Sequence, residues 1–209
     1  MVIVMVKDNK INDFCVNLAS KNPTPGGGSV AAIQGALGAG LIAMVADITL
    51  NSLKYKNFWE INKSVLNSSI DIKNKFLELA QKDIDEYSKM KNIYSMKNNT
   101  KEEQTIRTEK LQQTLKNCAM PPFECIRLSN KAINLITDIL DCSSKLAQSD
   151  LGCAATLLKS CIQNSWLNLR ANTKYIKDLS FVKKYEADAK SLIETTTEKA
   201  NLIYLRCNN

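Results

Sequence analysis

The sequence predicts an all-α protein: one compact multi-helix bundle, with a helix rich in small residues buried inside it. Three observations point there. Only 4 Pro and 7 Gly occur in 209 residues, and three of those Gly form one triplet. Apolar residues recur at helical spacing along nearly the whole chain, with no stretch of strand-like alternation beyond the N-terminal tip. The segment from Val30 to Leu50 is almost wholly apolar and dominated by Ala, Gly and Val. With no repeat, low-complexity tract or linker-like composition, residues 1–209 are expected to form a single domain.

The elements follow in order. Ile11, Phe14, Cys15 and Leu18 lie at i, i+3, i+4 and i+7, which predicts a first amphipathic helix over 8–20 with that stripe facing inward. Pro23-Thr24-Pro25-Gly26-Gly27-Gly28-Ser29 then breaks the chain. A second helix is expected from about Gly28 to Asn51, with Ser29 as its N-cap. On it Ala31, Gly35, Ala39 and Ala43 share one face, and Ala32, Ala36 and Gly40 the next, so another helix backbone can come close. A bilayer span also needs about 20 apolar residues; Gln34 and Asp47 interrupt this run and favour a buried core helix.

A loop near Lys56-Asn57 precedes a long helical pattern from Ile61 to Tyr94. Asp83 sits on its apolar stripe, the wrong chemistry for an ordinary core position. Asn98-Asn99-Thr100 marks a break, and Thr100 with Glu103 forms a capping-box pattern. The helix that follows is expected to end before Pro121-Pro122, because proline removes a backbone donor. Another runs through Ile126 to Leu140. The next starts at Ser143-Ser144 or Ser149 and continues through Ala154 to Leu169, and the last carries Val182, Tyr185, Ala189, Leu192, Thr196 and Ile203.

The chain contains no histidine. That excludes Ser-His-Asp and Cys-His nucleophile systems and the common histidine-built zinc hydrolase sites, so no metal site is expected. Acid–base work falls to carboxylates, Lys, Tyr, Cys or the ligand itself. Seven cysteines without a CxxC pair are expected to be reduced thiols of a cytoplasmic protein. The apolar stretch from Met1 to Val6 is too short for a secretory signal. The formal charge of +7 admits an anionic partner, but the lysines are dispersed, as on a solvated surface, and form no nucleic-acid-binding arm.

Four groups stand out. Pro25, Gly26, Gly27, Gly28 and Ser29 form a glycine-lined cradle at a helix start, suited to an anionic or carbonyl-bearing ligand, or else a turn serving tight packing. Asp83, with Asp85 close by, is a catalytic carboxylate or a satisfied buried one. Ser149-Asp150 precedes the Ala154-to-Leu158 turn, and Asp150 is either functional or a helix N-cap. Asn164 and Asn168, four apart on one helix face, either bind a ligand or hold loops.

In order and spacing these groups resemble the cyclodeaminase/cyclohydrolase family, which includes the C-terminal half of formiminotransferase-cyclodeaminase and stand-alone methenyltetrahydrofolate cyclohydrolases. Pro-Gly-Gly-Gly-Ser-Val-Ala-Ala at 25–32 is the most specific mark. The likeness continues through Met44-Val45, Thr49 to Tyr55, Asp83 to Tyr87, Ser149-Asp150 with Ala154-Ala155, and Asn164, Asn168 and Leu169. The resemblance implies a compact all-α homodimer acting on a one-carbon tetrahydrofolate, with no further cofactor. It implies ring closure of 5-formiminotetrahydrofolate with loss of ammonia, or hydrolysis of 5,10-methenyltetrahydrofolate in the same site. A formiminotransferase is a candidate partner. Asp83 and Asp150 are the expected catalytic pair, meeting around the reduced pterin. Lys54 and Lys97 are expected near the folate carboxylates or pterin. The chain departs from the family pattern at Asn51-Ser52-Leu53, at Ser95-Met96 and at Ser143-Ser144, where folate contacts are expected. A helical folate-binding or scaffold protein without the reaction is the alternative of a different class.

Overall fold

The computed structural model describes residues 5–208; the N-terminal tip at 1–4 lies outside them. A short 3-10 turn at Val6–Asp8 and helix α1 (Ile11–Leu18) lead into α2 (Gly27–Leu50). A 3-10 segment at Leu53–Phe58, where a loop is expected from sequence, connects to α3 (Trp59–Tyr94). Helix α4 (Lys101–Ile139) returns, a 3-10 turn at Lys145–Ala147 follows, and α5 (Gln148–Thr173) and α6 (Leu179–Cys207) complete the bundle. No strand occurs among the described residues.

Helix α2 is the hub, packed against α3, α4 and α5. Its small residues are what let the neighbours in. A Cβ on Gly35 would lie 2.4 Å from Cε1 of Phe76 on α3, and one on Gly38 would lie 2.9 Å from Leu158 Cγ on α5. Ala31, Ala32, Ala36, Ala39, Ile42 and Val45 are buried along the same helix. Gly40 departs from its expected role: a Cβ there meets nothing within 4 Å. By length and composition α2 could cross a bilayer, yet its inner side is core, as a bundle's central helix must be.

Two other expectations are corrected. The stripe of α1 does not face inward: no residue of α1 is buried, Ile11 is 85% exposed, and only Phe14 packs partly on the core. An eight-residue helix ahead of a Pro/Gly break has too little area to hold a place in the bundle. Helix α4 does not end at Pro121; it runs through both prolines, which are buried. In an unbroken helix the nitrogen of residue 122 would donate to the Cys118 carbonyl. Here Asn172 Nδ2 on α5 donates to that carbonyl at 3.2 Å. A side chain from the next helix replaces the bond that Pro122 cannot make, and burial of both proline rings adds packing.

The expected capping box is present. Thr100 Oγ1 accepts from Glu103 N at 3.2 Å, while Glu103 Oε2 accepts from Thr100 N at 3.2 Å. Asp178 caps α6 by accepting from Phe181 N at 3.0 Å. At the opposite pole Thr49 Oγ1 accepts from Ser144 N at 2.9 Å and Tyr55 Oη accepts from Lys145 N at 3.1 Å. Those bonds fasten the α4–α5 connection to the far end of α2. All seven cysteines are free thiols.

Candidate active site

Helix α2 starts part-way along α3, opposite Asp83, so α3, α4 and α5 continue past its N-terminus. The Pro23-to-Gly26 segment partly roofs the space this leaves. The result is a cleft of about 190 Å³, with Gly26, Gly27 and Gly28 on one side, Asp83 and Tyr87 of α3 on another, Cys118 of α4 behind, and Asn168 and Asn172 of α5 opposite.

The glycines serve proximity. None has a positive φ. A Cβ on Gly28 would lie 2.2 Å from Asp83 Oδ1, and one on Gly27 would lie 3.2 Å from Asn168 Nδ2. Only a bare backbone lets the Asp83 carboxyl sit against the first turn of α2. The Thr24–Pro25 peptide bond before it is cis.

Ser29 is the third helical residue, and the N-cap is Gly26. Its buried hydroxyl accepts from Gly26 N at 3.4 Å and donates to Asp83 Oδ2 at 3.2 Å. The Ser29 backbone N–H also lies close enough to favour the charged carboxyl. Asp83 therefore closes the exposed N–H end of α2 from a neighbouring helix, where the helix dipole favours negative charge. Burial works against the charge and dominates: desolvation raises the Asp83 pKa above 3.8, and the Ser29 hydroxyl and backbone N–H pull it back only in part. An up-shifted carboxyl lining a small cleft is suited to handing a proton to a bound molecule.

The wall opposite is an amide ladder. Asn164 Nδ2 donates to Gln34 Oε1 at 2.9 Å, Asn168 Nδ2 to the Asn164 carbonyl at 2.8 Å, and Asn172 Nδ2 to the Asn168 carbonyl at 3.0 Å. Burial and the nearby Glu86 and Asp83 carboxylates push the Cys118 thiol up to about 12, so it stays protonated and is no nucleophile.

The sequence profile described as Formiminotransferase-cyclodeaminase matches residues 10–191. The chain belongs to this family. A methenyltetrahydrofolate cyclohydrolase of Methylorubrum extorquens is 30% identical over 189 residues, covering 90% of this chain and 91% of that protein. The formimidoyltransferase-cyclodeaminase of Rattus norvegicus is 24% identical over 196 residues, which are 94% of this chain and 36% of that longer protein. The crystal structure of a formiminotetrahydrofolate cyclodeaminase from Thermotoga maritima has a TM-score of 0.82 at 25% identity, covering 95% of this chain and 97% of that one.

The motif residues that mark the family divide between the two ends of the bundle. Pro25 to Ser29, Asp83, Tyr87 and Asn168 gather at the cleft, with Asn164 one turn along α5 holding Gln34. Thr49 to Tyr55, Ser143-Ser144 and Asp150 gather at the other end. The expected meeting of Asp83 with Asp150 does not occur within one chain. Asp150 lies in the first turn of α5 and Asn168 near its end, about 27 Å apart along the axis. Asp150 is not the N-cap either; Ala147 holds that position. Lys54 shares this distant end, its ammonium 5.5 Å from the Tyr55 ring centre. Lys97 stands beyond the tip of α3, whose last residue is about 16 Å past Asp83. Neither lysine lines the cleft. Cys118 and Asn172 were not singled out from sequence. The i, i+4, i+8 spacing of Asn164, Asn168 and Asn172 was the signal available for the second.

Proposed function

We propose that the cleft binds the reduced pterin end of a one-carbon tetrahydrofolate and that the chain is a cyclodeaminase. It would convert 5-formiminotetrahydrofolate to 5,10-methenyltetrahydrofolate and ammonia. The observation that carries this reading is Asp83: one carboxyl with a raised proton affinity, fixed by Ser29 at a glycine-lined helix start. N10 attacks the formimino carbon, both nitrogens belonging to one substrate, so holding them in an attack geometry supplies much of the acceleration. The Asp83 carboxyl gives its proton to the departing NH₂ group, the carbon–nitrogen bond breaks, and ammonia leaves. The resulting carboxylate recovers the proton released from N10. One residue closes the proton cycle, only protons and one carbon–nitrogen exchange are involved, and the reaction as written needs no further cofactor.

Cyclohydrolysis of the methenyl compound is the second reading. The 30% identity to a methenyltetrahydrofolate cyclohydrolase, with both chains almost fully covered, favours it. The same carboxyl would then assist water at the methenyl carbon. Methenyl absorbance followed with each substrate separates the two. In either case Asp83→Asn is expected to lower kcat about 10²-fold or more; an Asn variant as active as the parent removes Asp83 from the chemistry.

A homodimer is proposed as the working form. Val30, Ile33, Leu37, Leu41, Met44 and Ile48 recur along the outer face of α2, with Leu37 57% exposed. A C2 pair would cover this stripe with its own copy. Light scattering is expected to give a dimer, and Leu37→Lys a monomer; a monomeric parent at micromolar concentration refutes this. The free thiols fit a cytoplasmic setting, which fractionation of the source cells tests.

A further inference from the structure

The cleft, at about 190 Å³, takes a pterin-sized ring and leaves the remainder of a folate to lie outside it. A second and larger hollow, about 570 Å³, opens from its rim. The two share Pro23, Thr24 and Tyr87 in their walls, so they adjoin. The hollow runs along the distal part of α3, where Tyr87, Met90, Lys91 and Tyr94 recur at three- and four-residue spacing on one face.

We infer that this groove seats the aminobenzoyl-glutamate arm of the substrate, with Tyr87 and Tyr94 flanking the benzoyl ring and Lys91 holding a tail carboxylate. The inference rests on the folate reading above. Tyr87 and Tyr94 are 46% and 61% exposed, and among the described residues neither ring packs on another aromatic. Met90 is buried between them and gives the groove an apolar floor. Among the described residues Lys91 has no carboxylate within salt-bridge distance, whereas its neighbour Lys89 is held by Glu86 at 2.7 Å. Lys91 lies two helical turns, about 12 Å, beyond Asp83, a span comparable to the arm that joins N10 to the tail carboxylates. The end of α3 is also fixed in place. Arg107 on α4 donates from Nε to the Ile93 carbonyl at 3.1 Å and from a terminal nitrogen to the Tyr94 carbonyl at 3.3 Å. An apolar slot with aromatic edges and a free cation near its far end matches an aromatic ring carrying a carboxylate.

The test compares two substrates in the full-length protein: 5-formiminotetrahydrofolate and its pteroate analogue, which lacks the glutamate, with the corresponding methenyl pair used if the parent proves to be a cyclohydrolase. Lys91→Ala is expected to raise KM for the folate about fivefold with kcat within about twofold, and to leave the pteroate unchanged. Lys91→Arg is expected to restore the folate KM. An equal shift on both substrates, or no shift on the folate, overturns the assignment. Calorimetry with 5-formyltetrahydrofolate and its pteroate analogue keeps the two proposals separable. Tail-dependent binding that Lys91→Ala abolishes, without turnover by the parent, refutes the reaction and upholds the groove. Binding by the parent indifferent to the tail refutes the groove, and no folate binding at all refutes both.

Discussion

Replacing Gly28 by Ala separates a glycine needed for the site from one that merely begins a helix. The added Cβ would sit 2.2 Å from Asp83 Oδ1, 2.5 Å from Cγ and 2.6 Å from Oδ2, where ordinary contact starts near 3.4 Å. The carboxyl must withdraw by roughly 1 Å, which strains or breaks its bond to Ser29. Overpacking of this kind costs about 1–3 kcal/mol, and the gain from replacing glycine in a helix offsets about 0.5–1 kcal/mol of it. The net loss of up to about 2.5 kcal/mol corresponds to a fall in Tm of up to about 10 °C for a chain of this size. Turnover should suffer more, because a displacement of about 1 Å in a catalytic group costs on the order of 10²-fold. Thermal unfolding by circular dichroism and the methenyl absorbance assay read the two effects. Gly40→Ala is the comparison, since nothing stands within 4 Å of its new Cβ. Full activity and an unchanged Tm in Gly28→Ala would refute the claim that this close approach positions the carboxyl.

Three further outcomes follow from the same geometry. Ser29→Ala removes a bond that stabilises the charged form of Asp83, so its pKa rises further; the limb of the pH–rate profile that Asp83 controls should move to higher pH, and a stationary limb counts against Asp83 as the titrating group. Asp83 also sets a stability gradient: with its folded pKa above the unfolded 3.8, its contribution is fully present below pH 3.8 and is lost as pH rises through the folded value. Asp83→Asn should therefore raise Tm relative to the parent more at pH 7 than at pH 4, and a difference independent of pH would contradict the desolvation account. Asp150→Asn is expected to keep turnover within about threefold, since its own chain holds it about 27 Å from Asn168; a 10²-fold loss would instead mean that a second copy carries Asp150 to the cleft.

Much of this architecture could be read from local chemistry. The Pro/Gly segment fixed the start of α2, the Thr100–Glu103 pattern the start of α4, and an acid on an apolar stripe marked Asp83. Each of those signals is complete within a few residues. The failures needed partners distant in sequence. Pro121-Pro122 reads as a helix end until Asn172, fifty residues on, takes the orphaned carbonyl. Lys54 and Asp150 belong to family-like motifs, but only helix length decides that they stand at the pole away from Asp83. Asn172 has a structural bond of its own and no motif to announce it, so only its spacing from Asn164 and Asn168 could have pointed to it.

That bond has a corollary. An amide donor engaged by a helix carbonyl is withheld from whatever occupies the hollow beside it. An ordinary residue in place of Pro122 would supply its own backbone hydrogen there and free one of the two Asn172 amide hydrogens, the other staying on the Asn168 carbonyl. Position 122, which lines neither the cleft nor the groove, is in this way coupled to an amide on the cleft wall.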